Sequence, residues 1–200
     1  AGFQVVALAE LARDAVLRLA ASIVRAPLSR ELENFLVDST GGNPYYAEEL
    51  TRYLVEEGLI AGEPRALVPG PMRVPAGLEG LLVARLDALS PFHREALKGA
   101  SVLGRVFWKS LLASLLEREV EEAVEEASRR DLIRSGEGSL IPADREFSFR
   151  HALLRDAAYS LLTRRDRVRL HAAAAALLEP RAAEGGRALR ALAARHREAA

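Results

Sequence analysis

The chain has 200 residues, half of them apolar, 28% charged and 6% aromatic, which suits one or two small domains with enough apolar material for a core. Lys+Arg (28) equal Asp+Glu (28), so no net cationic field selects nucleic acid or an anionic membrane. The absence of Cys excludes a disulfide framework, thiolate metal sites and a cysteine nucleophile.

The longest aliphatic stretch, Ala172 to Leu178, is too short to span a bilayer. No basic segment followed by an apolar one opens the sequence, so a secretory signal is not expected. The chain reads as a piece of a longer cytoplasmic protein.

Helical periodicity dominates, and the expected fold class is mainly α. Residues 10–25 and 30–39 carry apolar positions at three- and four-residue spacing. Gly41-Gly42-Asn43-Pro44 then interrupts the pattern. Asn43 suits an N-cap and Pro44 a first helical position, where the missing N–H has no helical partner to lose. The spacing predicts a helix from Pro44 to Glu57, ended by Gly58. Residues 61–75, with Gly62, Pro64, Pro69, Gly70, Pro71 and Pro75, read as a short hairpin or extended linker between domains.

A second helical block starts near Gly77, with Leu78, Leu81, Leu82, Leu86 and Leu89 as one stripe. Ser90-Pro91 repeats the cap-then-proline grammar and opens a helix to about Ser101. Phe107–Leu116 and a segment ending near Arg130 are the next expected helices. Leu132-Ile133-Arg134, a Gly136-to-Gly138 turn, Leu140-Ile141 and Phe147-Ser148-Phe149 read as short strands. Helices followed by a small β-wing is the order of a winged helix-turn-helix, here over residues 76–162. Leu153, Leu154, Ala157, Ala158, Leu161 and Leu162 mark another helix. Residues 163–200 read as an antiparallel helix pair turning at Pro180 and Gly185-Gly186, the possible start of a TPR-like array.

A search for chemistry is mostly exclusion. The nearest approach to a phosphate-binding loop, Gly104 to Ser110, has Trp108 in place of the second glycine, where an indole blocks the backbone from phosphate. The four histidines are scattered, with no metal-ligand spacing and no H-E-x-x-H. Glu48-Glu49, Glu56-Glu57 and Glu121-Glu122 read as solvated helix faces. No catalytic residue is expected. The helix in the DNA-recognition position carries Glu117, Glu119, Glu121, Glu122, Glu125 and Glu126, which disfavours direct DNA contact by phosphate repulsion. From Arg145 onward there are 12 Arg against 6 acids, but spread over several helices.

Three ordered stretches resemble a known family. They are Ser39-Thr40-Gly41-Gly42-Asn43-Pro44-Tyr45-Tyr46 with Gly58-Leu59-Ile60; Val74-Pro75 leading into Arg85-Leu86-Asp87 and Leu103-Gly104-Arg105; and Phe147-Ser148-Phe149-Arg150-His151 with Asp156 and Tyr159. Together they resemble the region that follows the ATPase core in bacterial STAND-type signalling NTPases, the AAA-like regulators fused to cyclase or LuxR-type output domains. The resemblance implies a helical lid over residues 1–60, the winged helix over 76–162, and a TPR-like sensor array beginning at 163. It implies adenine contact at Gly42, Asn43 and Pro44, and an ADP-phosphate sensor at His151. ATP or ADP, with Mg on the missing core, is then the cofactor of the intact parent, and no tightly bound cofactor is expected on this part alone. The implied partners are the upstream P-loop domain and downstream repeats of the same protein, with other protein partners possible and no membrane. Two further readings stand beside it: a protein–protein interaction scaffold and, disfavoured by the acidic helix, a DNA-binding regulator.

Among single residues, His171 reads as a packed histidine, while His93 and His196 read as surface residues. Trp108 reads as a core anchor, and Arg85 as one half of an ion pair whose partner the sequence does not name.

Overall fold

A computed structural model of the chain describes residues 9–69, 74–184 and 186–200. Residues 1–8 of the 1–60 region, Gly70 and Pro71 of the 61–75 stretch, and Gly185 of the expected turn lie outside the described residues. The chain is mainly helical, with one two-stranded and one three-stranded antiparallel sheet among the described residues. It divides into two compact units, Ala1–Arg85 and Leu86–Ala200.

In the first unit, α1 (Arg13–Val24), α2 (Arg30–Thr40) and α3 (Pro44–Glu56) pack around Ala20, Leu32, Leu36, Leu50, Leu54, Ile60 and Leu81. Each of these side chains lies on the apolar stripe of its segment, so burying the stripes against one another builds the core. Ser29 caps α2 by accepting from the Leu32 N–H at 3.2 Å. The hairpin expected after Gly58 is β1 (Ile60–Ala61) paired with β2 (Ala66–Leu67). A parallel bridge between Leu28 and Arg65 ties it to the start of α2, so this stretch is packed into the first unit. The division between the units falls further on, within α4 (Gly77–Asp87).

The second unit contains α5 (Pro91–Leu103), β3 (Val106–Trp108), α6 (Lys109–Leu116), α7 (Glu121–Arg129), β4 (Ile133–Ser135) and β5 (Glu146–Phe149). They are followed by α8 (Ala152–Ser160), α9 (Arg164–Glu184) and α10 (Gly186–Glu198). The sheet order is β3-β5-β4, with Phe107 opposite Phe147 and Ile133 opposite Phe149. Phe107, Phe147 and Phe149 are all buried, with ring centroids 5.9 and 5.6 Å from Phe107, which is contact distance for aromatic pairs. Trp108 is buried beside them.

Three expectations are corrected here. Phe107 and Trp108 lie in β3, and α6 begins only at Lys109, because its first turn is capped from a distant loop: the Ser110 N–H donates to Asp144 Oδ1 at 3.0 Å. Leu140-Ile141 is not a strand. The Ser139 hydroxyl donates to the Ile141 carbonyl and accepts from the Ile141 N–H, while the Leu140 N–H donates to Glu146, so side chains take the groups a ladder would need. Pro180 sits inside α9 rather than at its end. The guanidinium of Arg181 donates to the Leu177 carbonyl at 2.7 Å, a side-chain bond one residue beyond the place where proline removes a backbone one.

Gly42 is the position where the loop between α2 and α3 has least freedom. Its φ is +76°, and a Cβ there would come within 2.7 Å of the Leu11 carbonyl oxygen. The Leu11 N–H donates to the Gly42 carbonyl at 2.8 Å, so the segment entering α1 lies directly on this glycine. Gly41 also has positive φ, +55°, but open space around it. Replacing Gly42 by Ala is therefore expected to cost roughly 2–4 kcal/mol, from left-handed strain plus overpacking. Gly41→Ala should cost only about 1 kcal/mol. Denaturant titration of the two variants checks this, and equal losses would contradict the close approach.

Candidate functional site

The sequence-predicted residues Gly42, Asn43 and Pro44 open α3 in the first unit. Asn43 is the N-cap: its Oδ1 accepts from the Tyr46 N–H at 3.0 Å, and its carbonyl accepts from the Ala47 N–H at 2.9 Å. Pro44 follows in the first turn and has no N–H to offer. Asn43 and Pro44 are exposed, whereas Gly42 is buried under the Leu11 segment. This helix end thus presents a proline ring and an amide side chain, with the neighbouring N–H groups of Tyr46 and Ala47 already engaged.

Behind that edge lies a buried ion cluster. Tyr45, Glu49 and Glu56 share one face of α3, at four- and seven-residue spacing. Arg85 on α4 is 1% exposed, and its Nη1 donates to Glu49, itself 2% exposed, while Nη2 donates to Glu56 at 2.8 Å. Arg85 is the partner-seeking cation of the sequence reading, now with two partners. Glu49 corrects that reading: it is buried, not solvated. The missed signal lay on the other helix. Arg85 falls among Leu81, Leu82, Leu86 and Leu89, all buried, and a cation on an apolar stripe requires carboxylates facing it.

The electrostatics follow from this geometry. Burial pushes the Glu49 carboxyl above the usual carboxylate range, and Arg85 pulls against it. Burial works against the charge on Arg85, but the Glu49 and Glu56 carboxylates outweigh it and hold the guanidinium cationic. Burial, then the nearby Glu49 charge, drives the Tyr45 phenol well above its ordinary value, so it stays protonated.

His151, the other sequence-predicted site residue, lies in the second unit as the N-cap of α8, with φ −134° and ψ 149°. It is half-buried and its side chain makes no capping bond to the helix. It stands where a helix opens, as the sequence predicts. Leu154, Ala157, Ala158 and Leu162 bury the α8 stripe, while Leu153 is half-exposed.

The sequence missed a histidine cluster. His196, expected at the surface, is 3% exposed on α10 and faces His171, 7% exposed on α9. Their Nδ1 atoms are 2.9 Å apart, and His171 Nε2 is 3.0 Å from the Tyr159 hydroxyl. With Leu189 and Ala193 buried on α10, His196 continues their stripe, and that spacing was the signal available. His93 is half-buried, its Nε2 3.6 Å from Glu122.

Burial lowers the tendency of both clustered rings to protonate. For His196 the neighbouring His171 and Arg195 add to burial and bring it to about 4. For His171 burial acts first and Arg155 second.

No protein-family model matches the chain, and no curated protein matches it. Among the described residues, no group of three or more His, Cys, Asp or Glu is placed to hold a metal ion, and no helix is long and apolar enough to cross a membrane.

Two outcomes are expected. Arg85→Met strands the Glu49 carboxylate and should lower unfolding free energy by about 3–5 kcal/mol. Arg85→Met combined with Glu49→Leu should recover most of that loss. Chemical denaturation of the single and double variants measures both, and additive losses would contradict the pairing.

The histidine pair gives a pH dependence. Its folded-state values lie below the unfolded value of 6.5, so the unfolded chain takes up protons first on acidification. The pair's contribution is present above 6.5 and is lost as pH falls through about 4. His196→Phe should flatten the decline in stability across that window, read as midpoint against pH. A decline identical to wild type would contradict it.

Proposed function

We propose that this chain is the regulatory, nucleotide-state-sensing part of a STAND-type signalling ATPase. On this reading residues 1–60 are the lid, 76–162 a winged helix, and 163–200 the opening of a TPR-like array. The observation that carries the reading is the exposed Asn43–Pro44 edge of α3, which offers ring surface and an amide rather than a phosphate cradle. It stands at the tip of a helix anchored by the Arg85 cluster. The order of helices and the three-stranded antiparallel sheet in the second unit support the winged-helix part.

On this reading a core upstream in the parent protein would hold the phosphates and Mg of the nucleotide. The Asn43–Pro44 edge would meet the adenine, and His151, the N-cap of α8, would donate a ring N–H to the ADP phosphate. ADP binds the closed arrangement more tightly, and exchange for ATP shifts the population toward an open one by that difference in affinity. The chain itself is assigned no catalytic residue. DNA reading is disfavoured by α7, where Glu122 keeps a side chain 83% exposed, although Glu121 is neutralised by Lys109 and Arg145.

The test is ADP release from the parent protein carrying its P-loop core, followed with a fluorescent ADP analogue. Loss of one hydrogen bond to a charged group in His151→Ala should speed release roughly tenfold to a hundredfold, with raised basal output. Pro44→Ala should speed it a few-fold. Release rates unchanged in both variants would overturn the nucleotide reading.

A further inference from the structure

An apolar groove of about 400 Å³ lies in the second unit between β3 and α10. Val106, Trp108 and Leu140 line it from the side of the sheet, and Ala188, Ala191 and Leu192 from α10. Leu103, from the end of α5, also lines it. Leu103 and Trp108 are buried, but Val106 is 37% and Leu140 43% exposed, so large apolar side chains rim the opening as well as fill its depth. Exposed apolar surface gathered in one place marks an interaction site.

The charges on the groove have one sign. Arg105, immediately before β3, and Arg195 on α10 both line it and are both exposed. No described Asp or Glu lines it, and neither arginine forms an ion pair with a described residue. Of the carboxylates close by, Glu146 is occupied in accepting the Leu140 N–H at 3.2 Å. Glu198, nearly a turn beyond Arg195, lines a neighbouring cavity. Counting Glu198 against Arg195 still leaves the Arg105 charge without an acid.

The complement of such a groove is an apolar strip edged with carboxylates. The α10 wall presents Ala188, Ala191, Leu192 and Arg195, the three- and four-residue spacing with which one helix receives the side-chain ridges of another. From Ala188 to Arg195 the wall runs two turns, about 10 Å. One arginine comes from the sheet side and the other from α10, so a helix lying between them meets a cation on each flank of its apolar face.

We propose that this groove docks an acidic amphipathic helix of a partner protein, its apolar face against Val106, Leu140 and Leu192 and its flanking carboxylates paired with Arg105 and Arg195. The inference uses neither the Asn43–Pro44 edge nor His151, so it stands apart from the nucleotide reading. Burial of the apolar face supplies most of the affinity, as in other helix-in-groove complexes. The exposed arginines select the sign of the partner, and salt screens that selection. Docking also changes the surroundings of Trp108, the sole tryptophan of the chain.

The experiment is a titration of the full chain, followed by Trp108 fluorescence, with a synthetic peptide of about four helical turns that carries leucines on one face and glutamates on both flanks. A saturable change with a Kd of roughly 10–100 µM, weakening as salt is raised, is the expected result. The same peptide with lysine for every glutamate should bind about tenfold more weakly or worse. Arg105→Gln combined with Arg195→Gln should weaken the glutamate peptide about fivefold, and Leu140→Ser should do so by a similar factor. All these positions are exposed, so both variants should keep the wild-type unfolding midpoint. No saturable change at millimolar peptide overturns the proposal, as does equal affinity for the lysine peptide or an affinity unchanged in the double arginine variant. Sedimentation of the chain alone should show a monomer. Self-association that Leu140→Ser abolishes would give the groove to a second copy and overturn the partner assignment.

Discussion

A guanidinium withdrawn from water must be surrounded by enough negative charge to stay there. Arg85, at 1% exposure, meets that requirement with Glu49 and Glu56 from α3. Removing charges from water costs several kcal/mol per ion, and only close pairing in fixed geometry offsets it. The pairing therefore restricts which positions of α3 can face α4. Because Glu49 and Glu56 are seven residues apart, α3 is held along two turns, and its Asn43–Pro44 end is carried at a fixed place in the first unit. The apolar packing of Leu50 and Leu54 stabilises the helix, while the ion cluster selects its register.

The second unit solves a related problem with neutral groups. His171 and His196 are buried against each other with their Nδ1 atoms 2.9 Å apart, and the hydroxyl of the half-buried Tyr159 lies 3.0 Å from His171 Nε2. The arrangement stabilises the α8, α9 and α10 packing above the histidine range and withdraws that support in acid.

The legible parts of the sequence were those fixed by neighbours. A cap acts on N–H groups within one helical turn, so Asn43, Pro44 and Ser90 announced α3 and α5 with correct starts. The Phe147-Ser148-Phe149 alternation announced β5, whose two phenylalanines are buried. The illegible parts depend on distant residues. Asp144 caps α6 from a loop, so Phe107 and Trp108 were read as helix when they pair with β5. Ser139 and Glu146 satisfy the backbone at Leu140 and Ile141, which alternation alone cannot reveal. Of the site, Asn43, Pro44 and His151 were found at helix starts, where local rules act. Glu49 and His196 were missed, because a Glu-Glu pair and a histidine near an Arg-rich end look solvated until the opposing helix is in place. Arg85 and His196 each interrupt an apolar stripe, and that is the pattern from which such buried polar residues can be recognised.

The claim that Arg85 fixes α3 is tested most directly by hydrogen exchange across the α3 amides, Ala47 to Leu54, in the wild-type chain and in Arg85→Met. The account predicts that these amides lose protection sharply in the variant, while those of α9 and α10 in the second unit keep theirs. Wild-type protection of α3 in the absence of the guanidinium would contradict it.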